Sequence, residues 1–235
     1  MSRRGATGRR LSRLSPRRRR VRRRLDRTTA GIGFLALTTT GAAVIGDGVS
    51  VGAGAVLGKP PRLSARSRAP REASPPLVVG DGVEVGSGAV VLAGARLAAG
   101  ARLGEGAHVR ERARIGPDTT IGAGAAVDND VPVGAGVAIG SGSYLTGGSS
   151  VEDAVSVGEG VISANDNTMG RHPAGEPPSG VTLRRGCRVG DRAVLLPGIE
   201  IGPDAVVEPE SVVIGDVPAR ARAAGVPARL REETA

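Results

Sequence analysis

From Val79 to Val157 every sixth residue is Val, Ile or Leu, fourteen in succession. Four places after each stands only Ala, Val, Ser or Thr, and the place just after it is most often Gly. A period of six is neither the two of an ordinary strand nor the 3.6 of a helix. It is the sequence form of a stacked repeat in which each hexad adds one short strand and one corner.

The physical demands of such a repeat are narrow. The aliphatic points inward, and the small residue four places on sits where the wall turns. Gly, Asp and Asn at the corners tolerate left-handed backbone angles. Three hexads close one triangular coil, and coils stack at about 4.8 Å. One coil cannot bury its own face, so many are required. A strict hexad predicts an all-β fold, a left-handed parallel β-helix shaped as a triangular prism, with a short C-terminal tail. The beat is also present at Ile45, Val51 and Leu57, and resumes at Leu183, Val189, Leu195, Ile201, Val207 and Val213. The expected organisation is an Arg-rich disordered extension over 1–42, a prism over 43–214 with loops at 59–76 and 163–180, and a closing segment over 215–235. The first loop is rich in Pro, Arg and Ser. A long loop leaving a regular scaffold is where function concentrates.

Composition agrees with a thin prism. Aromatic residues make up 1% of the chain, with no Trp, one Phe (Phe34) and one Tyr (Tyr144). No stretch approaches the roughly 20 apolar residues of a membrane span. Charge is uneven. Residues 1–27 hold 13 Arg and one Asp, a net of +12, while the remainder holds 19 basic and 22 acidic residues, a net of −3. The tail is expected to bind anionic surfaces weakly by charge alone, with no specific nucleic acid as partner. The segment after it lacks the layout of a signal peptide, so a cytoplasmic location is expected. Cys187 is alone and stands at a small corner position, which predicts a buried structural thiol.

The second interruption reads VISANDNTMGRHPAGEPPSG and collects Asn165, Asp166, Asn167, Arg171 and His172. Pro173, Pro177 and Pro178 keep it out of helix or pairing strand. Upstream of it runs GVAIGSGSYLTGGSSVEDAVSVGEGVISAND, and downstream come the DVP of Asp216–Pro218 and the GVPAR of Gly225–Arg229. With these segments, about two-thirds of the chain resembles the hexapeptide-repeat acyltransferases, especially those that acetylate amino sugars on nucleotide carriers. The resemblance implies a homotrimer, with acetyl-CoA lying as cosubstrate in the groove between adjacent prisms. It implies no metal.

In the hydroxyl-acetylating relatives the position matching Asn165 carries a catalytic His; here it is Asn, as in the amino-sugar enzymes. A hydroxyl needs a base to become nucleophilic, whereas an amine is partly neutral near pH 8 and attacks the thioester directly once oriented. Asn165 can orient an amine but cannot take its proton. His172 is the candidate base, and Asp166 either orients His172 or a substrate hydroxyl, or caps the turn. The resemblance also places the cofactor at the last coils. There Ala193 and Ala205 would give a smooth wall for the pantetheine arm, and Arg220 and Arg229 would meet the phosphates. His108, Arg110 and Glu111 form HVRE within a coil and either line an acceptor groove or stand outward in solvent. Tyr144 is the one ring of the repeat able to stack on a base. The expected function is N-acetylation of an amino sugar. The alternatives are O-acetylation of a sugar hydroxyl with His172 as base, and a non-catalytic prism with a basic tail. A trimeric zinc anhydrase would need three His around its metal, and the chain has two.

Overall fold

The computed structural model describes residues 38–39, 41–63, 74–171 and 178–231. The Arg-rich segment and His172 lie outside the described residues. Within them the chain is a left-handed parallel β-helix. Its short strands fall in turn on three faces, giving sheets of nine, eight and ten strands. Partners on a face are 18 residues apart: His108 pairs Ala126, which pairs Tyr144. Among the described residues no helix is long and apolar enough to cross a membrane.

The six-residue beat is the core. Each of the fourteen aliphatics from Val79 to Val157 is at most 5% exposed, and the small residue four places on is buried too. Burying one such side chain is worth about 1.5–3 kcal/mol. The residue three places after each aliphatic has positive φ in all fourteen hexads. Most are Gly, but Arg112, Asp118, Asp130 and Ala154 adopt it as well. The corner thus demands a left-handed residue even where the side chain resists it. Cys187 is buried, and its thiol is pushed up to about 12 by burial and by the charge of Glu152. It fills a corner and is no nucleophile at neutral pH.

Strands also lie outside the beat. Thr38–Thr39 pairs with the Val56–Lys59 strand. At the other end Arg222–Gly225 adds in parallel to Val206–Val207 and then folds back as an antiparallel hairpin with Ala228–Arg231. The hairpin extends its sheet beyond the last hexad and makes Ala228–Arg231 the edge strand.

Two register jumps set where the loops leave the prism. Ala43 pairs Leu77 and Ser150 pairs Thr182, so 16 and 14 residues are inserted beyond the 18-residue spacing. Both insertions leave a strand of the first face, Val56–Lys59 or Ile162–Ser163, and return on the second face. Both loops therefore spring from one edge of the prism, called here the loop edge. Five coil steps separate them, about 24 Å.

Candidate functional site

The three edges differ at the residue that follows each buried aliphatic. Along the edge from third face to first this residue is Gly86, Gly104, Gly122, Gly140, Gly158 and Gly190. There the next coil is too close for a side chain: a Cβ on Gly104 would lie 2.5 Å from the backbone nitrogen of Ala123. Along the loop edge the same position holds Leu92, Arg110, Asp128, Thr146, Ala164 and Leu196. The loop edge has room for side chains and carries polar ones.

Its polar groups form one ladder. Arg110 Nη1 donates to Asp128 Oδ1 at 2.6 Å, and Arg110 Nη2 and Nε donate to the two oxygens of Glu111 at 3.1 and 3.3 Å. Glu111 is fully buried, so Arg110 neutralises a carboxylate that water cannot reach. Asp128 Oδ2 accepts from Tyr144 Oη at 3.0 Å and from the Gly147 N–H at 3.1 Å. The Tyr144 hydroxyl is pushed up to about 12 by burial and by the neighbouring Asp128 charge, so it stays a donor. It braces this ladder through Asp128. One coil further on, Asn165 Nδ2 donates to the Gly147 carbonyl at 2.8 Å. Arg110, Asp128, Gly147 and Asn165 are thereby linked across four successive coils.

Asn165 stands where the second loop leaves. Behind it the beat breaks because Ser163 replaces an aliphatic. Ser163 is buried, donates to the Tyr144 carbonyl and accepts from the Thr146 N–H at 2.9 Å. Asp166 ties the loop's first turn: it accepts from the N–H and hydroxyl of Thr168 at 2.5 and 2.7 Å and from the Gly170 N–H at 2.6 Å. That is a turn-capping arrangement. Whether His172 joins Asn165 is not described, since His172 lies outside the described residues.

The other end of the loop edge holds a groove of about 550 Å³ beside the first loop, and Lys59, Arg62, Leu92, His108 and Arg110 are among its lining residues. The His108 imidazole is half-buried, and burial together with the Arg110 charge lowers its pKa below the usual 6.5. It is therefore neutral at pH 7. The HVRE residues do not stand outward in solvent: Glu111 is inside, Arg110 spans the edge, and His108 faces a groove. The period-18 replacement of Gly by larger residues was the signal in the sequence that could have found this edge.

The residues expected at the cofactor divide. Ala193 and Ala205 are fully buried inside the prism. They fill corners of the core and cannot form a wall for a pantetheine arm, which corrects that expectation. Arg220 and Arg229 are exposed, and neither meets a carboxylate among the described residues. Arg220 sits in a turn with φ of 60°, and Arg229 lies in the closing hairpin. The structure brings together Asn165 with Asp128 and Arg110 through Gly147, and leaves Arg220 and Arg229 at the C-terminal end.

No family model matches the chain, and no curated protein matches it. Solved structures do. A truncated serine acetyltransferase apoenzyme is 27% identical over 48% of this chain and 43% of its own, with a TM-score of 0.39. A mutant of AntD, an N-acyltransferase from Bacillus cereus, in complex with dTDP and coenzyme A, is 20% identical over 54% of this chain and 76% of its own, with a TM-score of 0.48. The UDP-N-acetylglucosamine O-acyltransferase of Moraxella catarrhalis is 16% identical over 83% of this chain and 74% of its own, with a TM-score of 0.49. The chain spans less than half the length of the serine acetyltransferases it matches.

Proposed function

We propose that the protein is an acetyl-CoA-dependent acyltransferase that N-acetylates an amino sugar, with Asn165 on the loop edge orienting the amine. One observation carries this reading. The Asn165 Nδ2 is committed to the Gly147 carbonyl, which leaves its own carbonyl oxygen to accept from an amine. A side chain held this way fixes direction and takes no proton. The amine nitrogen forms a bond to the thioester carbonyl carbon, the C–S bond breaks, and CoA leaves as thiolate. The proton lost from nitrogen goes to that thiolate or to water. A partly neutral amine needs this positioning more than it needs a base.

The cosubstrate follows from the sequence resemblance and is supported by two exposed cations, Arg220 and Arg229, free of carboxylate partners among the described residues. In this reading three copies pack side by side, and the second loop of one reaches the groove beside the next. The test is release of free thiol from acetyl-CoA in the presence of amino sugars, their nucleotide-linked forms and matched hydroxyl sugars. Turnover with amines and none with the hydroxyl sugars is expected. Turnover with hydroxyl sugars alone would overturn the role given to Asn165.

A further inference from the structure

The coil that carries Asn165 is joined to the coil before it by an altered rung. Along the loop edge the residue after an aliphatic donates its N–H to the carbonyl of the aliphatic one coil on. Arg110 donates so to Val127, Asp128 to Leu145 and Ala164 to Leu195 at 2.9 Å, and Leu196 to Val213 at 3.0 Å. Thr146 departs from this. Its N–H donates at 2.9 Å to the Ser163 hydroxyl, a side chain standing in for the carbonyl. Pairing changes with it. Tyr144 is matched with Ile162, but Leu145 is not matched with Ser163 as Val127 is with Leu145 one coil earlier. Asn165 lies two residues beyond this rung.

The Ser163 hydroxyl is one of three in a row. Thr146 Oγ1 lies 3.2 Å from Ser163 Oγ and 3.4 Å from Ser149 Oγ, and all three residues are buried. One proton per hydroxyl fixes the direction of the chain. Ser163 gives its proton to the Tyr144 carbonyl at 3.2 Å, so Thr146 donates to Ser163 and Ser149 to Thr146. At the far end Ser149 Oγ accepts from the Val181 N–H at 3.2 Å. Ser163 is where the second loop leaves the prism, and Val181 is where it has returned. The three hydroxyls therefore clasp the two ends of the loop through the core. Thr119 and Ser143, buried at corners, bond differently. Thr119 donates to the Gly134 carbonyl and accepts from the Val137 N–H, and Ser143 does the same with Gly158 and Val161. Both serve the next coil's backbone and reach no other side chain in this way.

We propose that Ser163 is a positioning residue. Through this clasp it holds the start of the second loop, and with it the Asn165 side chain, in the direction that an amine acceptor needs. In the column of the first face Ser163 stands between Leu145 and Leu195, both fully buried. An aliphatic at 163 would add apolar packing there and return the Thr146 N–H to an ordinary backbone rung. Ser163 gives up that packing for the altered rung, as expected where stability and function compete. The inference rests on the amine-orienting reading of Asn165 for its reaction, whereas the setting of Asn165 by the clasp stands without it.

The chain has three Asn and no Gln, so a ¹⁵N spectrum of the full chain carries three side-chain amide pairs. Asn165→Ala identifies the pair that donates to Gly147. Ser163→Val is expected to shift that pair, to speed its hydrogen exchange and to melt no lower than the parent. Its single-turnover rate of acetyl transfer to an amine is expected to fall about 10–100-fold. Ser163→Thr keeps the hydroxyl and is expected to restore both signal and rate. Thr146→Val, which cuts the clasp at its middle, is expected to shift the same pair and slow transfer. An Asn165 pair unmoved in Ser163→Val overturns the proposal. So does a Ser163→Val protein that melts below the parent, since Ser163 would then serve the fold, or a Ser163→Thr protein that loses transfer as the valine variant does. If the pair moves as expected while the parent acetylates no amine, the acyl-transfer reading fails and the positioning of Asn165 stands.

Discussion

Arg110 is the residue on which the loop edge turns. It alone among the described residues pairs with the fully buried Glu111, and it also reaches Asp128. Removing one partner of a buried pair leaves an uncompensated charge and costs about 3–5 kcal/mol. Arg110 is about one-third exposed, which screens part of that, so Arg110→Met is expected to destabilise by about 2–3 kcal/mol. Adding Glu111→Leu should restore most of the loss, since an apolar pair replaces an ionic one. Chemical denaturation of the single and double variants checks this. A double variant no more stable than the single would mean that Glu111 has another source of compensation. At this scale Asn165 was legible because a beat that stops abruptly marks its own exception. Glu111 was not legible. It follows Arg110 in a row of charges, and nothing in that row distinguishes the one buried carboxylate from its exposed neighbours.

Each hexad is a strand and a corner, and the corner sets two separate demands. One is conformational. Ala154 has φ of 57° and is exposed, so Ala154→Gly relieves a left-handed backbone and should stabilise by about 1 kcal/mol. The other is spatial. Gly104 needs no unusual φ but has backbone 2.5 Å from where its Cβ would stand. Gly104→Ala must push two coils apart and should cost about 1–3 kcal/mol. Thermal melts of the two variants are expected to shift in opposite directions. If both shift the same way, corner φ and corner space are not the independent demands described here. These two demands also explain why the strands were readable. The aliphatic and its small partner recur every six residues, and both are buried in every hexad from Val79 to Val157. What distinguishes one edge from another recurs only every 18, and the 16-residue insertion after Val56–Lys59 shifts that count in the first coils.

The described prism is a wall whose two loops spring from one edge about 24 Å apart. The ladder from Arg110 through Asp128 and Gly147 to Asn165 lies between them. Fold and handedness were written in the beat. The placement of both loops on one edge required counting coils through two insertions, whereas the inward direction of Ala193 and Ala205, four places after Val189 and Ile201, was already readable from the beat. The central claim is that this edge positions an amine for acetyl transfer and does so at Asn165. It is tested most directly by single-turnover kinetics of Asn165→Ala with acetyl-CoA and the best amine acceptor of the panel. The rate of acetyl transfer is expected to fall about 100-fold through lost orientation, with acetyl-CoA affinity unchanged. A variant that transfers acetyl at the parent rate would contradict the claim.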